Sequence, residues 1–463
     1  MRIVCALVIL ALAVAGSCAK PPDPPVNRPA TRTATAPAAM TEPAAPRHQL
    51  QGPIQALAWE KAPAGTSNIA GLIRVEPGVN PMAIAKRSQE SPPGQAGLLL
   101  MGWDADVFAN AVDRTRDAGG ASTGYLSPWF DHGIAATRQK TEKFFQEFSA
   151  AGGRADSVVM DMEGGVSYCR VTAAQTQAIF ADPRFAAWQA RYNIPGLGAV
   201  LAGDILNYNA ALMDATAQAL NQAIFDVATK NFPNVSTSNY DMYAMNQANV
   251  VPDSGGYKWV LNSGAGNGGA PMMYGGLHFS AAPDGTPYTN TAYHTVLWET
   301  NVLRGILNSS SSNVTPWLAF KGYADSRLTN SPYYDEMVYH LALSGASGFL
   351  LWNPHATAGQ NPAQFASAAQ DRAFDTLLQT LNSKFKPGIA VRTPITTQQM
   401  GWNDPLVVSG VQIGDTGVLW RITAPPGVKQ VKVVDTGEVL NLNGAAGVWY
   451  ESAPGTAVKF TAQ

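Results

Sequence analysis

Residues 157–168 read SVVMDMEGGVSY, an apolar, β-branched run that breaks into two carboxylates and a glycine pair. A run of that length, closed by Gly164-Gly165, predicts a buried strand leaving its sheet for a loop. Side chains alternate along a strand, so Asp161 and Glu163 share one face while Met160 and Met162 take the opposite, apolar one. Two acids are thereby aimed at one place, at a strand's exit.

Similar runs recur on both sides of this stretch. Strands are predicted at 97–101, 123–127, 157–161, 235–241, 271–274, 315–320 and 348–352, with one more at 54–59 or 69–75. The segments between them suit helices at 107–117, 134–151, 211–231, 292–307, 332–344 and 372–382; in the second, Phe144, Phe145 and Phe148 form a stripe that packs on a sheet. Strands alternating with helices predict an α/β fold, a (β/α)8 TIM-type barrel over residues 53–386, with a doubly wound open sheet as the competing arrangement. From 387 to 463 the texture changes to short strands between turn residues, such as PLVVSGVQIG at 405–414 and TGVLWRIT at 416–423. That texture predicts an antiparallel β-sandwich domain. Trp402 and Trp449 are its candidate carbohydrate contacts, although buttressing the barrel is its expected role.

At the start of the chain, Arg2 precedes an apolar run at 3–15, and Ala15-Gly16-Ser17 supplies small residues for cleavage, so residues 1–17 predict a signal peptide. Cys18 follows at once. This resembles the bacterial lipoprotein signal, which implies lipidation of Cys18 and export to a membrane, the outer membrane or cell surface in a Gram-negative cell. The apolar run is too short to span a bilayer comfortably, and an acyl chain holds a protein at a membrane without crossing it. Residues 18–52 are rich in Pro, Ala and Thr without apolar periodicity, and predict a tether that stands the folded body off that membrane.

Composition narrows the partners. Hydrophobic residues make up 46% against 14% charged, enough for a large core, and a net charge of −2 without a basic stripe argues against nucleic acid. Cys5 leaves with the signal and Cys18 carries lipid, so Cys169 stands alone in the body as a structural thiol. The histidines, at 48, 132, 278, 294, 340 and 355, show no metal-ligand spacing, and no metal or cofactor is expected. GAGNGGAP at 264–271 has neither a phosphate-loop nor a dinucleotide pattern and reads as a loop, and no G-x-S-x-G elbow follows a strand.

In a barrel the site lies at the C-terminal ends of the strands. Those exits carry Trp103 and Asp104, Trp129 and Asp131, Asp161 and Glu163, Tyr240, Asp241 and Tyr243, Tyr274, Lys321 and Tyr323, then Trp352 and Asn353. Each aromatic taken singly fits a core as well as a site, and it is their repetition at strand exits that points to function. Pyranose rings stack their C–H faces on aromatic rings and spend their hydroxyls on acids, amides and phenols, so the set suits a sugar.

VVMDMEGG resembles the Asp-x-Glu strand of hyaluronidases and, more loosely, of chitinase-type enzymes, and GASGFLLWN at 345–353 resembles the hyaluronidases' last strand. Between them, STSNYDMY, APMMYGG and VTPWLAF stand in the order of the family's fifth to seventh strands. The resemblance implies a glycoside hydrolase in which the substrate's own 2-acetamido oxygen attacks the anomeric carbon, an exception to the two-carboxylate rule. Glu163 would then be acid and base, and Asp161 would orient the acetamido group and raise the pKa of Glu163. Tyr240 or Tyr243, with Tyr274, would donate to substrate oxygens, and Trp352 would wall the sugar. Architecture and acid are carried over; hyaluronan is not, because the family's disulfides and the cations expected for a uronate polymer have no counterparts. The rival readings are a retaining or inverting glycosidase with Asp241, Asp325 or Glu299 as second carboxylate, and a non-catalytic glycan-binding lipoprotein.

Overall fold

The computed structural model describes residues 50–59, 63–162, 172–241, 265–274, 291–309, 313–323, 328–329, 331–385, 391–398, 400–401 and 404–463. Glu163, Tyr243, Cys18, Cys169, Trp402 and Asp325 lie outside them.

The first part of the chain runs β1 (Leu50–Gln51), β2 (Ala56–Ala58), β3 (Ile69–Gly71), β4 (Ile73–Val75), α1 (Pro81–Gln89), β5 (Gly97–Leu100), α2 (Trp103–Phe108), β6 (Arg114–Arg116), β7 (Ser122–Leu126), α3 (Asp131–Ala150) and β8 (Ser157–Met160). It continues as α4 (Ala173–Ala181), α5 (Phe185–Tyr192), α6 (Leu197–Leu201), α7 (Leu206–Leu220), a π-turn at Asn221–Phe225, α8 (Asp226–Asn231), β9 (Ser236–Asp241), β10 (Gly268–Pro271), α9 (Thr291–Ser309), β11 (Asn313–Val314), β12 (Trp317–Ala319), α10 (Tyr333–Ser344), β13 (Phe349–Trp352) and α11 (Ala368–Lys384).

Two parallel sheets result, in the orders β11-β10-β9-β8-β5-β4 and β12-β13-β2-β3. They are joined through continuous chain, because β3 runs into β4 across Leu72 and β11 into β12 across Thr315 and Pro316. Pro316 has no N–H for a ladder, which accounts for the second break. Their strands alternate between two apolar layers, as strands covered on both faces must. Leu99 and Val159 pack with Ala58, Tyr240 and Trp317. Leu98, Leu100, Val158 and Met160 pack with Phe144, Phe145 and Phe148 of α3, the stripe expected from the sequence.

Several expectations are corrected here. Residues 54–59 and 69–75 are not alternatives, since β2 and β3 are both strands and pair with each other. Residues 122–126 are an arm of the antiparallel β6–β7 hairpin. The turn before them is built by Asp117, whose Oδ1 accepts from the N–H groups of Gly119 and Ala121, and by Gly120 at φ 84°. The glycine-rich segment read as a loop contains β10 itself. A Cβ at Gly266 would lie 2.2 Å from Thr237 O, and one at Gly268 would lie 3.0 Å from Asn313 O, so these glycines let the chain lie close to its neighbours. The π-turn helps seat it, Asn221 Oδ1 accepting from Gly266 N at 2.6 Å.

The last part of the chain runs β14 (Val391–Pro394), β15 (Val407–Ile413), β16 (Gly417–Thr423), β17 (Gln430–Val433), β18 (Val439–Asn441), β19 (Gly447–Ser452) and β20 (Phe460–Ala462), forming antiparallel sheets ordered β1-β14-β15-β16-β19 and β18-β17-β20. β1, placed in the tether by its sequence, is therefore an edge strand paired with β14. Trp420 and Ile422 pack with Val431 and Leu442, which joins the two sheets. Val407, Val411, Ile413 and Leu419 pack instead in the layer that holds Met337 and Leu341 of α10.

Buried polar groups cross that second contact. Arg421 donates Nε to Glu336 Oε2 at 2.7 Å and Nη2 to Oε1, while Thr423 Oγ1 donates to Oε2 at 2.5 Å. His340 lies between Ser409 Oγ and Thr423 Oγ1, and burial, with Arg421 and Arg304 nearby, drives its pKa well below that of a free imidazole. Arg304, whose pKa burial lowers to about 9, donates to Gln398 O at 2.9 Å, Val408 O at 2.7 Å and Ser409 Oγ at 2.9 Å.

Candidate active site

Asp161 follows β8 directly and is half-buried, while Met160 and Met162 on either side are buried. The alternation read from the sequence thus holds as far as the structure describes it. The stem that leads to Glu163 is fixed by β9. Asn239, itself buried, accepts from Met162 N at 3.3 Å and returns Nδ2 to Met162 O at 3.3 Å and to Tyr240 O at 2.8 Å. Asp161 N donates to Leu100 O at 3.1 Å, so the strand keeps its pairing up to the acid.

Aromatic rings gather at the C-terminal ends of the later strands. Tyr240 of β9 lies 6.4 Å from Tyr274, which follows β10, and 5.9 Å from Trp317 of β12. Tyr274 lies 5.8 Å from Trp352, the last residue of β13, with their planes 29° apart. Phe320 and Tyr323, just past β12, lie 6.0 and 5.1 Å from the same indole, and Trp59, just past β2, lies 5.7 Å from Trp317. Tyr274 and Trp352 are half-buried, whereas Tyr240 is buried with its hydroxyl donated to Met272 Sδ at 2.9 Å. The expected residues Tyr240, Tyr274 and Trp352 thus meet in one cluster.

Polar groups border this cluster. Lys321 Nζ donates to Asp335 at 2.8 Å. Asn353 accepts from Trp59 N at 3.1 Å and donates to Asp371 Oδ1 at 2.8 Å, while His355 Nε2 bonds Asp371 Oδ2 at 2.7 Å. Trp59, Phe320, His355 and Asp371 were not among the candidates. Trp59 stands at a strand exit as the others do, but nothing local in the sequence couples Asp371 to His355.

The other candidates lie elsewhere. Trp103 opens α2 inside the core, 2% exposed, with its indole N–H on Val75 O at 3.1 Å and Phe144 at 5.9 Å. Asp104, beside it in α2, is half-exposed. Trp129 packs 5.2 Å from Trp188, with the Arg184 guanidinium 4.4 Å over its ring. Arg184 is fixed in turn by both oxygens of buried Asp182, whose bonds to Arg184 and to Arg116 N hold its carboxyl below the ordinary range against the cost of burial. Asp131 is exposed in the first turn of α3. Asp241 ends β9, its side chain lying outside the described residues. Glu299 is buried in the middle of α9, not at a strand exit, which removes it as a second catalytic carboxylate. Among the described residues no cluster of His, Cys, Asp or Glu has the makings of a metal site, and no helix is long and apolar enough to cross a membrane.

No protein-family profile matches the chain, and no curated relative does. Solved structures similar to it include three enzymes that act on glycans. An endo-β1,6-glucanase is 11% identical over 88% of this chain and 92% of its own, with a TM-score of 0.42. A fungal β-1,4-galactanase is 13% identical over 69% of this chain and 98% of its own, at 0.34. Bee venom hyaluronidase is 13% identical over 52% of this chain and 76% of its own, at 0.26.

Proposed function

We propose that this chain is a glycoside hydrolase acting on a glycan that contains 2-acetamido sugars, by substrate-assisted retaining hydrolysis with Glu163 as acid and base. The observation that carries this reading is the set of groups at the strands' C-terminal ends: Asp161 after β8, the rings of Tyr274 and Tyr323 after β10 and β12, and that of Trp352 closing β13. We read the two parallel sheets as one closed (β/α)8 barrel. Counting β3 with β4 and β11 with β12 gives eight strand lines, and β13 pairs with β2 as well as β12. In a barrel all these exits open at one mouth.

The chemistry follows from the residue types. Glu163 protonates the glycosidic oxygen as the acetamido oxygen attacks the anomeric carbon, the bond to the leaving sugar breaks, and an oxazolinium forms. Asp161 accepts from the acetamido N–H and offsets the positive charge spreading onto it. Glu163 then takes a proton from the water that reopens the ring. Trp352 and Tyr274 supply the apolar wall. The antiparallel sheets act as a buttress, and Cys18 carries the lipid that holds the protein at a bacterial membrane.

The test is hydrolysis of a glycoside panel by the wild-type protein, Glu163→Gln and Asp161→Asn. Activity confined to 2-acetamido sugars and lowered at least ~100-fold in both variants is expected, in line with the loss of a general acid. Turnover of sugars lacking that group would favour a second carboxylate, with Asp241 the first to test. Absence of turnover, with glycan binding intact in both variants, would point to a non-catalytic protein.

A further inference from the structure

Beyond the acid pair, one group at the strand exits has the geometry of a ligand contact. Asp371 lies in the first turn of α11, its side chain 0% exposed, where a carboxylate is favoured by the helix N-terminus. The helix is fixed there by a capping box between Ser367 and Gln370. Both carboxylate oxygens are used, Oδ1 by Asn353 Nδ2 at 2.8 Å and Oδ2 by His355 Nε2 at 2.7 Å.

The orientation of the ring follows from this set. Trp59 N–H donates to Asn353 at 3.1 Å, which assigns the amide oxygen to that side and leaves Nδ2 to donate to Asp371. A carboxylate accepts only, so His355 must carry its hydrogen on Nε2. In the neutral ring Nδ1 is then an acceptor. The ring is one-third exposed, and no bond to Nδ1 is present among the described residues. Its backbone is also fixed at the rim of the aromatic cluster, because His355 bridges to Ala366, and Ala366 packs with Phe320 and Tyr323, against which Tyr274 and Trp352 lie.

We propose that His355 is a sugar-binding residue that accepts a substrate hydroxyl at Nδ1, with Asp371 and Asn353 as the positioning residues that fix its tautomer and aim. The inference rests on the glycosidase reading and adds to it a directed polar contact beside the Trp352 wall, opposite in kind to the apolar stacking there. The bland alternative is a clamp that merely pins residues 353–366 onto α11.

The test uses the full chain as Glu163→Gln, labelled with 15N-histidine, and three probes: chitotetraose, a hyaluronan tetrasaccharide and a disaccharide of N-acetylglucosamine and N-acetylmuramic acid. Binding of a probe should move the Nδ1 resonance of His355. His355→Ala should weaken that binding about tenfold, the worth of one directed hydrogen bond, and His355→Gln should recover part of it. In the active protein the same changes should raise KM and leave kcat nearly unchanged, with the melting temperature held. Binding with an unmoved resonance and equal affinity in His355→Ala overturns this inference and leaves the glycosidase reading standing. Loss of binding only in step with loss of the fold, in His355→Gln as in His355→Ala, makes the pair a clamp and overturns it too. Failure of all three probes to bind or be cleaved overturns both readings.

Discussion

Arg392 carries a guanidinium into a place where, among the described residues, none of its nitrogens finds a hydrogen-bond acceptor. It is 2% exposed on β14, with the ring of Phe385 4.4 Å away as its compensation, and burial lowers its pKa to about 10. Leaving buried donors unpaired costs about 1–3 kcal/mol, whereas a cation–π contact returns about 0.5–2 kcal/mol. Methionine keeps the length and drops the charge. Arg392→Met should therefore leave stability unchanged or raise it by about 1 kcal/mol, read as a shift in the urea midpoint; a fall of that size would mean that the guanidinium has an acceptor after all. Legibility differs sharply at this scale. Asp161 was readable because its own strand fixes which face it takes, and alternation needs only neighbouring residues. The partnership of His355 with Asp371 joins a strand exit to the next helix, and no local period reports a contact made by tertiary packing.

Between elements, the decisive joint is α10 against β16. Glu336 and Arg421 are both buried, doubly bonded to each other, and Arg421 lies 5.0 Å from Tyr339 and 4.8 Å from Trp449. Removing one partner of such a pair strands the other charge in the core, which costs about 3–5 kcal/mol, whereas replacing both with apolar residues is often neutral. Glu336→Leu alone should thus destabilise by about that amount, and Glu336→Leu with Arg421→Met should regain most of it, measured as a double-mutant cycle in urea. Equal losses in the single and double variants would show that the joint depends on packing instead. The same contrast governs what the sequence could show of the elements. α3 was legible because Phe144, Phe145 and Phe148 fall at helical spacing within one long uninterrupted segment. The start of β10 was not, because Gly266 and Gly268 are there for the neighbouring backbone at Thr237 and Asn313, and glycine-rich sequence otherwise signals a loop.

At the scale of the molecule, the question is whether the antiparallel sheets are an appendage or part of the core. Composition marked the change of texture near residue 387, and the structure puts antiparallel strands there, but a local pattern cannot tell a module that rides on a neighbour from one that completes it. Three observations favour completion. The inner side of the larger sheet shares an apolar layer with α9 and α10 through Val407, Val411, Ile413 and Leu419. Glu336, His340 and Arg304, on those helices, take bonding partners from that sheet or from the segment leading to it. Leu50 and Gln51, ahead of β2, pair with Arg392 and Val391, so the segment that leads into β2 is tied to the first strand of the C-terminal sheets. Deleting residues 391–463 would expose that layer to water at about 25 cal/mol for each Å² uncovered and would strip three buried polar side chains of partners at once. Against a typical net stability of about 5–15 kcal/mol, those losses together are enough to unfold the remainder. The truncated chain should therefore aggregate or lack a cooperative melting transition, as followed by size-exclusion chromatography and calorimetry. A soluble truncation that melts cooperatively near the temperature of the whole protein would show that the parallel strands and their helices close a core of their own, and that the C-terminal sheets only rest upon it.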